Sequence, residues 1–137
     1  MARFDHLSIS VADLDRGIAQ FDPVMQAMGA IREDGEGSVA WDLGDGETEF
    51  ILLPAREPST GPHVHGRVGW QHLAFSLESR EDVDRLHEVA LAAGWTAVRH
   101  PKPYPRFSER YYASFVESAD GIRIEFMLNP TPLEPSD

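Results

Sequence analysis

The sequence predicts an α+β fold made of two βαβββ modules, and three observations carry that prediction. The segment His6-Leu7-Ser8-Ile9-Ser10-Val11 returns as His72-Leu73-Ala74-Phe75-Ser76-Leu77. Each copy then runs through an acidic turn into an amphipathic helix. Each copy closes on a similar strand, Glu-Phe-Ile-Leu-Leu-Pro from Glu49 and Glu-Phe-Met-Leu-Asn-Pro from Glu125. A repeated unit packs as two copies about a pseudo-two-fold axis. Histidine and glutamate at matched positions on such an axis are what a metal site between the copies needs.

The elements follow in chain order. Phe4 to Val11 alternates, with Leu7, Ile9 and Val11 on one face and His6, Ser8 and Ser10 on the other, the pattern of a half-buried strand. Ala12-Asp13-Leu14-Asp15 places carboxylates at the positive end of a helix dipole. That helix should reach about Met28 and stop at Gly29, with Pro23 bending or splitting it. Short strands are expected near Ala30–Glu33, Val39–Asp42 and Thr48–Leu53, turned by Gly35-Glu36-Gly37 and Gly44-Asp45-Gly46. These glycines are hairpin turns and not a phosphate-binding loop, and no Gly-x-Ser-x-Gly nucleophile motif occurs.

Proline and glycine between 54 and 69 mark a linker (55–69) between module one (about 4–54) and module two (about 70–128). In the second module Leu73, Phe75 and Leu77 share a strand face. Ser79 and Asp82 form a capping-box-like helix start. Val83, Leu86, Val89, Ala90 and Ala93 recur at helical spacing before Gly94. Thr96–Arg99 reads as a strand and His100 to Arg110 as a proline-punctuated loop. Tyr111–Glu117 and Ile122–Leu128 read as strands joined by the turn Ser118-Ala119-Asp120-Gly121. The tail, 129–137, carries three prolines and should be loosely held.

Composition narrows the function. The 137 residues suit one compact domain, or two half-domains sharing a core. A net charge of −11, with the twelve basic residues scattered, argues against a nucleic-acid partner. No apolar run approaches the roughly 20 residues of a membrane span, and no signal peptide is expected. With no cysteine there are neither disulfides nor thiolate metal sites, and a cytoplasmic location fits. The expected partners are a small-molecule substrate and a second copy of the chain, as a homodimer.

Strand parity selects the candidate site. The apolar stripe of each strand claims the helix-covered face, which turns His6 and His72 to the open face. In the last strand Ile122, Ile124, Phe126 and Leu128 form the core set, so Arg123, Glu125 and Met127 face the opening. Two histidines and a glutamate then project from open faces.

These residues resemble the vicinal oxygen chelate superfamily, which includes glyoxalase I, extradiol dioxygenases, methylmalonyl-CoA epimerase and the bleomycin- and fosfomycin-resistance proteins. Phe-Asp-His-Leu-Ser-Ile-Ser-Val-Ala-Asp-Leu-Asp-Arg resembles its opening strand and helix start, and Gly-Trp-Gln-His-Leu-Ala-Phe its second opening strand. The run from Tyr111 to Phe126 resembles its closing hairpin, so the likeness spans residues 4 to 128. It implies a glyoxalase/dioxygenase-like open barrel and a divalent metal ion (Fe, Mn, Ni or Zn). The implied metal ligands are His6, His72 and Glu125.

The fourth ligand position lies on the last strand of module one and stays open between two matches. Aligning the two Glu-Phe segments makes Glu49 the ligand, giving the four-ligand set of isomerases and epimerases. Aligning the turn puts Ile51 there, leaving the three-ligand set of non-haem iron oxygenases. The second match is preferred, because turn geometry sets strand register. Glu125, Tyr111 and Tyr112 are the catalytic candidates, with parity allowing one of the two tyrosines on the open face. Arg106, Arg123, His63, His65 and His100 are candidates for surrounding roles. The resemblance thus implies a metal-dependent dioxygenase, or a lyase or isomerase, acting on a vicinally oxygenated substrate. The competing reading is a metal-free resistance or sequestration protein that holds a ligand in the same concavity.

Overall fold

A computed structural model describes residues 1–129. Its elements run β1 (His6–Val11), α1 (Leu14–Ala27), β2 (Ile31–Gly35), β3 (Ser38–Asp42), β4 (Glu49–Pro54), a short 3₁₀ turn (Pro58–Thr60), β5 (Leu73–Ser76), α2 (Arg80–Ala92), β6 (Thr96–Pro103), β7 (Tyr112–Glu117) and β8 (Arg123–Leu128). Two four-stranded sheets result, ordered β1-β4-β3-β2 and β5-β8-β7-β6. The two orders are the same order, so the repeat in sequence is a repeat in topology. In each sheet the first and last strands of a module pair in parallel and the rest antiparallel. The sheets remain separate, and among the described residues no barrel closes. The tail from residue 130 lies outside the described residues.

Both helices start as the sequence indicates. Asp13 accepts from the Arg16 amide at 3.0 Å and Ser79 from the Asp82 amide at 3.1 Å, each satisfying a free N–H of the first turn. Pro23 does not split α1, which continues to Ala27. The missing proline N–H costs one backbone bond, while Phe21, Val24 and Met25 beside it are fully packed into the core. The second departure is β6. It extends through Pro101 to Pro103, where the sequence suggests a loop. Prolines survive there because β6 is an edge strand with register shifts against β7, so the missing donors interrupt no central ladder.

One hydrophobic cluster draws on both modules, from Ile9, Phe21, Trp41 and Phe50 in the first to Leu86, Trp95, Ile124 and Phe126 in the second. The modules meet through α1 and α2, with the Phe21 and Trp95 rings edge-on at 4.7 Å. Gln20 makes the seam specific. Its amide donates to Gly94 O at 3.0 Å and accepts from the Ala119 amide at 3.1 Å, while its carbonyl takes the Trp95 indole N–H at 2.7 Å. Asp120 adds a second tie by accepting from the Ala12 amide at 3.0 Å and Arg16 at 3.4 Å. This helix-to-helix packing leaves the face of each sheet opposite its helix uncovered by the other module.

Candidate metal and substrate site

His6 and His72 occupy matched places and are oriented in matched ways. His6 Nδ1 lies 2.6 Å from Asp5 Oδ1, and His72 Nδ1 lies 2.6 Å from Gln71 Oε1. In both modules the side chain just before the histidine sits at Nδ1, so that Nε2 is the ring nitrogen turned away from it. Metal-ligating histidines are usually oriented by such a bond. A polar residue before each repeated histidine was visible in the sequence; its partnership with the ring was not.

Glu125 is the buried member, 3% exposed. Its Oε1 faces His72 Nε2 at 3.1 Å and its Oε2 accepts from the Tyr111 hydroxyl at 2.5 Å. A buried carboxyl group without partners is costly, and these two contacts satisfy both oxygens of Glu125. His72 thus has a polar partner at each ring nitrogen, Gln71 Oε1 at Nδ1 and Glu125 Oε1 at Nε2. Burial and the hydrogen bond to Glu125 push the Tyr111 hydroxyl above its ordinary range and keep it a donor.

His6 does not reach this pair within one chain. It lies on the open face of the first sheet, and among the described residues no three of His, Cys, Asp and Glu come together. Glu49 stands beside His6 in the β1–β4 ladder. The ladders also bear on the two matches for the fourth position. Ser8 pairs with Ile51 in the first sheet, and Ala74 pairs with Glu125 in the second. Each of those residues lies two beyond its histidine, so Ile51 is the topological counterpart of Glu125. The register is anchored by the hairpin before it, where Asp45 accepts from the Glu47 and Thr48 amides and the Thr48 hydroxyl. Those bonds hold the Asp45 carboxyl down to about 2.

The other candidates separate cleanly. Tyr112 turns to the helix side, donating to Asp84 at 2.7 Å with Arg80 over its ring, so only Tyr111 stands at Glu125. His100 also leaves the opening and meets His87 of α2 at 3.3 Å. His63 fastens the linker, its ring on Trp70 O at 2.7 Å and its amide on Asp120 O at 2.9 Å. His65, Arg106 and Arg123 line a cavity of about 180 Å³ beside His72, joined by Arg99, Tyr104 and Phe115. Sequence reasoning missed both Arg99, which closes the expected strand Thr96–Arg99, and Tyr104, which lies in the expected loop from His100 to Arg110, because neither pattern shows that the two meet at His72. A wider depression of about 720 Å³, lined by Ser10, Leu53, Arg56 and Glu57, is open to solvent and contains none of these groups.

The chain is similar to known proteins over most of its length. The family model described as Glyoxalase/Bleomycin resistance protein/Dioxygenase superfamily matches residues 3–126. An uncharacterised Pseudomonas aeruginosa protein, PA2024, is 31% identical over 95% of this chain and 90% of its own length. The Bacillus subtilis protein YqjT is 33% identical over 57% of this chain, a match that spans 62% of YqjT. A crystal structure of a putative glyoxalase from Bacillus halodurans superposes with a TM-score of 0.75 at 26% identity, covering 92% of this chain and 95% of that one.

Proposed function

The chain belongs to the Glyoxalase/Bleomycin resistance protein/Dioxygenase superfamily, and we propose that within it the chain is a divalent-metal-dependent enzyme acting on a small vicinally oxygenated substrate, by dioxygenase-like ring cleavage in preference to glyoxalase- or epimerase-type isomerisation. The observation that carries this reading is the His72–Glu125 pair, 3.1 Å apart with Nδ1 and Oε2 already held from behind. Two imidazoles and a carboxylate are a recognised donor set for a divalent ion that keeps open positions. The donor set therefore suits a divalent ion held by His72, Glu125 and His6, with Ile51 rather than Glu49 at the fourth place. Such an ion, when bound, supplies Lewis acidity toward two neighbouring oxygens and keeps positions open for them. The chain's own part is to hold Glu125 by Tyr111, to fix both imidazoles by Asp5 and Gln71, and to shape the cavity beside His72.

Because the modules pack by their helices, the site is proposed to form across a cytoplasmic homodimer, with His6 of one protomer facing His72 and Glu125 of the other. Mixing inactive chains tests this. His6→Ala and His72→Ala proteins should each lose metal and activity. Unfolded and refolded together, they should recover about a quarter of the parent activity, since half the dimers are mixed and each mixed dimer has one intact site. No recovery from mixing sinks the shared site. Full metal binding by either single variant sinks the metal assignment. The second reading, a metal-free binder, draws on the direct contact of His72 with Glu125, which can persist as an ion pair. It requires ligand binding that is indifferent to chelator and to His6→Ala.

A further inference from the structure

We propose that the substrate taken at this site is a single-ring aromatic acid, whose carboxylate is bound by Arg99 and Arg106. This inference shares its site with the function proposed above and adds the chemical class of the ligand.

The chain carries 23 acidic and 12 basic residues, so its overall field repels anions. The cavity beside His72 runs against that field. Arg99, Arg106 and Arg123 all line it. Arg123 is already held by Glu117, at 3.1 Å through Nε and 2.9 Å through Nη2. Among the described residues Arg99 and Arg106 have no carboxylate partner and make no side-chain hydrogen bond. They stand instead against aromatic rings, Arg99 over Phe115 at 6.0 Å and Arg106 over Phe107 at 4.8 Å. A guanidinium standing over a ring still has N–H groups to offer a carboxylate.

Two residues of the wall also carry buried polar atoms without partners. Tyr104 is 6% exposed, and its buried hydroxyl has no partner. His65 Nδ1 is buried and equally without a partner. Buried polar atoms are nearly always satisfied, so two orphans in the wall of one cavity mark a missing set of donors and acceptors. The rest of the wall is aromatic. Tyr104 stacks on Phe107 at 5.7 Å, and Phe115 lies edge-on to His72 at 5.5 Å. Within one chain about 180 Å³ is available, enough for one benzene ring, which a cavity of ~150 Å³ accepts. A ring with one carboxylate fits, with its oxygenated edge toward His72 and Glu125.

Binding to chelator-treated full-length protein tests this without any turnover. Benzoate should bind at least tenfold more tightly than benzamide, which has the same shape without the charge, and more tightly than acetate, which lacks the ring. Arg99→Gln and Arg106→Gln should each weaken benzoate about tenfold and leave benzamide unchanged, and Arg106→Lys should restore part of the loss. Circular dichroism confirms that each variant folds, and Arg106 is exposed enough that its replacement disturbs no core. Equal binding of benzoate and benzamide, or benzoate binding unchanged in both Gln variants, overturns the carboxylate assignment. Equal binding of benzoate and acetate overturns the aromatic one. Benzoate lacks vicinal oxygens and the protein lacks metal in this assay, so failure of the metal reading leaves these outcomes intact and separately readable.

Discussion

Replacing Tyr111 by Phe removes one oxygen and isolates what that oxygen does. The hydroxyl donates to Glu125 Oε2 at 2.5 Å, and the carboxylate it serves is 3% exposed. A hydrogen bond to a charged group contributes about 1.5–3 kcal/mol, and water has little access to replace this one. Chelator-treated Tyr111→Phe protein should therefore lose about 2 kcal/mol in urea unfolding, with an unchanged m-value. If Glu125 holds a cation through Oε1, the same change loosens the carboxylate and should weaken metal binding about 10–100-fold by calorimetry. The two effects share one cause. In a Glu125→Gln background the Tyr111→Phe change should thus cost far less, and a double-mutant cycle reads the coupling. The reasoning is refuted if Tyr111→Phe leaves both stability and metal affinity where they were, or if its cost is the same with and without the Glu125 carboxylate.

Other changes probe the frame around the site. Gly121→Ala should be severely destabilising or should detach the linker, because Gly121 has φ +78° and a Cβ there would sit 1.8 Å from His63 O; limited proteolysis within residues 55–69 would show the release. Gln20→Ala strips partners from Gly94 O and the Ala119 amide, and should cost about 2 kcal/mol or more in urea while leaving metal affinity unaltered. His87 is 1% exposed, and burial first, then the neighbouring His100, lower it from 6.5. Its unfolded form therefore binds protons more readily than its folded form, so stability should fall as pH drops below about 6.5 and should be level above it for this group. His87→Leu should flatten that part of the stability profile, and an unchanged slope would show that other groups set it.

Much of this protein was legible in one dimension. The repeat from His6 and from His72 announced two like modules, and strand parity alone turned His6, His72 and Glu125 to the open faces, because a period of two leaves a half-buried strand no other choice. The cap at Ser79 was readable because it involves residues three apart. Wherever the answer depended on neighbours distant in sequence, the sequence was silent or wrong. β6 ran on through Pro101 and Pro103 because the sheet placed it at an edge. Helix α1 ended at Ala27, close to the expected Met28, but that Pro23 would not split it was decided by core packing that outweighed one lost bond. The choice between Tyr111 and Tyr112 fell to a register that puts one against Glu125 and the other against Asp84 of α2. The ladders that pair Ser8 with Ile51 and Ala74 with Glu125 drew the equivalence that two competing alignments could not. Local pattern determines which face a side chain takes. Only the packed structure determines what it meets there, because the partners of Glu125, Arg99 and Tyr104 are brought together by sheet pairing and helix packing, which no short window of sequence encodes.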